Sequence, residues 1–109
     1  MLRDQYLSRF SKITTDLYEL TARKSADYSG TADPFHNFRA CEDFGVPMVK
    51  GILVRMSDKM SRAGNLLNSP DAPQVADERV IDTLRDLAVY AIILSIIIEE
   101  QADKPCRVE

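Results

Sequence analysis

From Ala91 to Ile98 the chain is apolar at every position except Ser95. A helix that is apolar all round needs cover on every side. A chain of 109 residues has few other elements to supply it. The same stretch follows Glu78, Asp82, Asp86 and Tyr90, which recur at every fourth residue. On a helix this spacing lays them along one slowly drifting stripe. The segment from Val75 to Gln101 therefore reads as one long helix, and its apolar part, 87–98, is expected to pack against another copy of the chain. The alternative is a central helix buried in a monomer. Three like charges on one stripe repel each other, and a metal ion, a basic partner helix or solvent would offset that repulsion.

Three further helices precede this one. Tyr6, Phe10, Ile13, Leu17 and Leu20 recur at steps of three and four, the spacing of one buried face, and predict a helix over Arg3 to Tyr28. Past Leu20 the same line falls on Lys24, Asp27 and Tyr28, so the core is expected either to end there or to open into a polar pocket. Ser29-Gly30-Thr31 breaks the helix. Asp33-Pro34 offers an N-cap followed by proline at the first helical position, predicting a short helix from Pro34 to about Asp43 that ends near Gly45. Phe35, Phe38 and Phe44 are expected to pin it to the body. Pro47 opens a further long helix to about Leu67, with Ile52, Leu53, Met56, Met60, Ala63 and Leu67 on its apolar side. Residues 68–73 form a loop by composition. The expected fold is an all-α, four-helix bundle of three long helices and one short, oligomeric, with a single domain over 1–101 and a flexible tail over 102–109.

Composition narrows the function. With a formal charge of −3, nonspecific binding to duplex nucleic acid is disfavoured, because it needs a net basic face. A local basic pocket for a small phosphate compound stays open. Cys41 and Cys106 are the only cysteines, and neither has a second cysteine at metal-ligand spacing, which argues against a disulfide scaffold or a zinc site. The single histidine, His36, is read as a surface or packing residue. The opening residues Met1 to Gln5 lack an apolar signal segment, and the 87–98 run is too short to span a bilayer. The expectation is a cytoplasmic protein with no membrane partner.

Three polar groups stand out. Lys24, Asp27 and Tyr28 close the first helix. Arg55, Asp58, Lys59 and Arg62, at offsets of zero, three, four and seven, share one side of the third. Glu78, Asp82 and Asp86 lie on the fourth. In an antiparallel bundle these groups can converge. Arginine donates two parallel hydrogen bonds to phosphate, and magnesium prefers oxygen ligands and commonly bridges carboxylates to substrate phosphates. Tyr28 and nearby phenylalanines could stack on a base, so the set fits a nucleotide better than a sugar, lipid or peptide. Each element also has a plainer reading. Arg55, Asp58, Lys59 and Arg62 could be a solvated helix face with i, i+3 and i, i+4 pairs, Glu78 could complement a helix dipole, and Asp82 and Asp86 could pair with Arg55 or Arg62 to fix register.

The run Lys24 to Tyr28, then Asn37-Phe38, then Arg55 to Arg62, then Asp77 to Ala91 resembles the small all-α nucleotide modification associated domain proteins, common in bacteriophage genomes near genes of nucleotide metabolism. The resemblance covers roughly residues 17–98. It is more distantly similar to the MazG-like all-α NTP pyrophosphatases, in which helix carboxylates hold Mg²⁺ while water attacks a phosphoanhydride. Carried over, Glu78 and Asp82 would be the catalytic metal ligands, with Asp58 and Asp86 as further metal candidates. Lys59 and Arg62 would hold phosphates. With Lys24, Asp27, Tyr28, Asn37 and Arg55 they make up the candidate ligand-binding residues. The chain departs from the pyrophosphatase pattern, because it has no Glu-x-x-Glu and its acidic spacing is Glu-x-x-x-Asp.

Three functions follow. The first expectation is a phage-type protein that binds and sequesters a nucleotide, including a cyclic or signalling nucleotide of host defence, in the host cytoplasm. The second is a Mg²⁺-dependent pyrophosphatase acting on a nucleoside triphosphate or a modified nucleotide. The third is a structural oligomerisation module.

Overall fold

The computed structural model describes residues 1–27, 33–69 and 78–102. Every regular element among them is helical, and the fold is all-α. Helix α1 spans Arg3–Asp27, α2 Met48–Leu67 and α3 Glu78–Ala102, with two short 3-10 segments, His36–Phe38 and Ala40–Phe44, between α1 and α2. The loop expected over 68–73 is described only at Asn68 and Ser69, and residues 75–77 and the tail from 103 lie outside the described residues. No described helix is long and apolar enough to cross a membrane. The chain divides into two compact units, Met1–Asn37 and Phe38–Glu109.

In the first unit, the Leu2 backbone N–H donates to the Gln5 side chain at 2.8 Å, satisfying a donor beside the first turn of α1. Tyr6 and Phe10 stack edge to face at 6.2 Å on consecutive turns, and Lys12 pairs with Asp16 at 3.5 Å. The expected buried stripe is not buried: Tyr6, Phe10 and Leu20 are exposed, and Ile13 and Leu17 are half-buried. This unit contains no second long helix to cover them.

The short helix expected over 34–43 is two 3-10 segments instead. Asp33 does act at its start, its carboxylate accepting from the Phe35 N–H at 3.0 Å. So short a stretch has little to offset the cost of nucleating an α-helix, and the tighter winding suits short pieces. It ends where expected. Gly45 takes φ 81, a left-handed conformation that glycine adopts without penalty. The Gly45 N–H then reaches the Glu42 carbonyl at 3.0 Å and the Val46 N–H the Cys41 carbonyl at 3.1 Å.

In the second unit α2 packs along α3. Lys59 meets Asp86, while Arg55, one turn earlier in α2, and Tyr90, one turn later in α3, both meet the Phe38 ring. The two helices therefore run antiparallel. Met48, Ile52 and Ala63 are buried on α2, and Val80, Thr83, Leu94 and Ile97 on α3. Ile52 and Ile97 are the largest fully buried side chains, at 1% and 0% exposure. Each contributes about 1.5–3 kcal/mol of apolar burial. The buried line of α2 runs through Met48, Ile52, half-buried Met56 and Lys59, and Ala63. Leu53 and Met60 each sit one position beyond that line, about 100° further around, and they and Leu67 are exposed.

The second 3-10 segment lies against α2 at Gly51. A Cβ at Gly51 would stand 2.6 Å from Cys41 Sγ, so a larger residue fits only if the thiol moves. The Cys41 thiol in turn points at the Phe38 and Pro47 carbonyls, at 3.5 and 3.9 Å. Close approach at Gly51 thus seats the second 3-10 segment, which begins two residues after Phe38. Phe44 does not pin it, being 86% exposed.

Candidate functional site

The charged side of α2 forms as its spacing requires. Arg55, Lys59 and Arg62 lie on one side of a continuous helix, at offsets of four and seven. The structure adds what holds Arg55 and Lys59. The Arg55 guanidinium carbon lies 5.1 Å from the centre of the Phe38 ring. That places it within cation–π range, an interaction worth about 0.5–1 kcal/mol at an exposed position. Phe38 meets Tyr90 of α3 edge to face, at 6.2 Å and 87°. One turn along α2, Lys59 Nζ donates to Asp86 Oδ2 at 2.9 Å. Both partners are half-buried, so solvent screens the pair and its stabilisation is at most about 1 kcal/mol.

Arg55, Lys59 and Asp86 are thus brought together with Phe38 and Tyr90 in one cluster spanning α2, α3 and the segment before α2. Beyond it, Asp58, Ser61, Arg62, Asn65 and Leu66 line a shallow depression of about 510 Å³ on α2. A row of cations beside an open depression can hold an anion while leaving part of the ligand in water. Arg55 is exposed, and a guanidinium offers a flat surface on which a planar base can stack, as it does in nucleic-acid recognition.

The other candidates are placed as follows. Lys24 is exposed in the last turn of α1, and Asn37 is exposed in the first 3-10 segment. Both belong to the first unit, with Asp27, whose side chain lies outside the described residues, as does Tyr28. Among the metal candidates, Asp58 and Asp82 are exposed, Asp86 is taken by Lys59, and the side chain of Glu78 is outside the described residues. Among the described residues no group of three or more His, Cys, Asp or Glu is placed to share a metal ion. His36 is exposed, as a surface residue would be.

Phe38 and Tyr90 belong to this cluster, although their residue types alone did not place them there. The usable signal was the fourfold spacing that leads from Asp86 to Tyr90, together with the antiparallel register that sets Tyr90 opposite Arg55. No protein-family model, curated protein or solved structure matches the chain.

Proposed function

We propose that this protein binds a nucleotide and holds it without requiring turnover, with its phosphates on the α2 cations and its base against Arg55. The observation that supports this most directly is Arg55 fixed over the Phe38 ring, one turn from Lys59 and two from Arg62. A flexible arginine loses rotamer entropy on binding a ligand. One already stacked on an aromatic ring loses less. Its five donors and flat outer face then serve phosphate and base together. Arg62, with Ser61 and Asn65 beside it, extends the donor row along the depression. A ligand with several phosphates or a cyclic dinucleotide has charges spread far enough to meet all three cations.

The test is incubation of the full chain with linear and cyclic nucleotides, with and without Mg²⁺. Each mixture is filtered, and the filtrate and the heat-denatured protein fraction are analysed by liquid chromatography. The expected result is one nucleotide class depleted from the filtrate and released unchanged by heat, with retention lost in Arg55→Ala/Lys59→Ala. Depletion of no nucleotide overturns the proposal. Conversion that depends on Mg²⁺ replaces it with the hydrolase reading, and Glu78 and Asp82 become the first residues to substitute.

A further inference from the structure

Helix α3 has a second apolar face that α2 does not use. Ile81, Leu84, Ile92, Ile96 and Ile98 are all large and exposed. The buried residues of α3, Val80, Thr83, Leu94 and Ile97, define the side toward α2. The side opposite carries Arg85, Ala88, Ile92, Ile96 and Glu99, at offsets of −7, −4, 0, +4 and +7 from Ile92. On a helix these five fall within about a quarter of the circumference.

Two identical helices related by a two-fold axis at Ile92 must complement each other at equal and opposite offsets, because a two-fold interface pairs the same patch with itself. This stripe does so at each step. At −7 and +7 the pair is Arg85 with Glu99, opposite in charge. At −4 and +4 it is Ala88 with Ile96, small against large. At the centre Ile92 meets its own copy. Arg85 and Glu99 take part in no ion pair among the described residues, so both are available to a partner. A parallel pairing would set Arg85 against Arg85 and Glu99 against Glu99, and repulsion at both ends disfavours it.

We infer that the outward face of α3 is a homodimer interface in which two copies pair antiparallel about Ile92, with Arg85 of each chain meeting Glu99 of the other. The occupant is a second copy of this chain, because the stripe complements itself in charge and side-chain size under that symmetry. The interface lies on the side of α3 away from α2 and stands independently of the nucleotide reading.

The experiment is sedimentation equilibrium on the full chain and three variants, with circular dichroism to show that each keeps its helical content. The wild type is expected to sediment as a dimer, or as an even-numbered assembly of such dimers. Arg85→Glu places like charges together twice, and the dissociation constant should rise by more than about tenfold. Glu99→Arg should do the same. The double variant Arg85→Glu/Glu99→Arg restores both attractions and should return to the wild-type mass. A wild type that is monomeric at every concentration overturns the inference. So does an Arg85→Glu variant that associates unchanged, or a double variant that stays dissociated.

Discussion

Lys59 Nζ sits 2.9 Å from Asp86 Oδ2 and so joins α2 to α3 through a half-exposed pair. In a nucleotide-binding protein that carboxylate competes with phosphate for the same ammonium group. Asp86→Asn leaves the side-chain volume nearly unchanged and removes the competitor. Its stability should fall by no more than about 1 kcal/mol, read from urea unfolding. Its affinity for the retained nucleotide should rise about three- to tenfold, read by calorimetric titration. A weaker affinity would mean that Asp86 itself serves the ligand, through a metal ion or by fixing Lys59.

Arg55 and Phe38 give a second, separable expectation. Arg55→Lys keeps the charge but loses the flat guanidinium and its stacking on the ring. Nucleotide affinity should drop about tenfold. Global stability should change by only about 0.5–1 kcal/mol, the scale of an exposed cation–π contact. Phe38→Leu should lower affinity in the same direction with Arg55 intact, because the guanidinium is no longer held. If Phe38→Leu leaves affinity unchanged, Arg55 needs no support from that ring.

The long helices were legible because their apolar spacing runs for many turns. Arg3, Leu67 and the glycine stop at Gly45 all fall where the pattern sets them. Periodicity was less able to say which of two neighbouring apolar lines faces the partner. Leu53 and Met60 are as apolar as Ile52 and Met56, and only the position of α3 separates them. The 34–44 stretch carried helix signals at both ends, but its middle was too short to keep α geometry. The contact of Cys41 with Gly51 was hidden because a glycine in a helix has several explanations until its neighbour is seen. The cationic row was legible from spacing alone. Its aromatic support, Phe38 and Tyr90, came from two other segments and needed the fold.

Gly51 and Gly64 test that contact within one helix. Alanine favours a helix over glycine by about 1 kcal/mol. At Gly64 a Cβ meets nothing within 4 Å, so Gly64→Ala should stabilise by about 0.4–1 kcal/mol. At Gly51 the Cβ would lie 2.6 Å from Cys41 Sγ, and overpacking of about 1–3 kcal/mol should exceed the helix gain. Gly51→Ala should therefore destabilise, and Gly51→Ala/Cys41→Ala should recover most of the loss. Thermal unfolding of the three variants reads all of these effects. If Gly51→Ala is as stable as Gly64→Ala, the 3-10 segment does not press on α2.

Ile96 and Ile97 are adjacent in sequence and differ by about 100° around α3. Ile97 is fully buried against α2, whereas Ile96 is exposed within the chain. Ile97→Ala leaves a cavity and should cost about 2–5 kcal/mol at every protein concentration. Ile96→Ala removes no contact with α2. Its effect should appear only through association, because a partner that binds the folded state alone stabilises it by mass action. The expected signature is a wild-type Tm that rises with protein concentration. Ile97→Ala should lower that curve throughout, and Ile96→Ala should flatten it toward its dilute limit. A concentration-independent loss in Ile96→Ala equal to that of Ile97→Ala would place Ile96 in the chain's own core and leave no free face on α3.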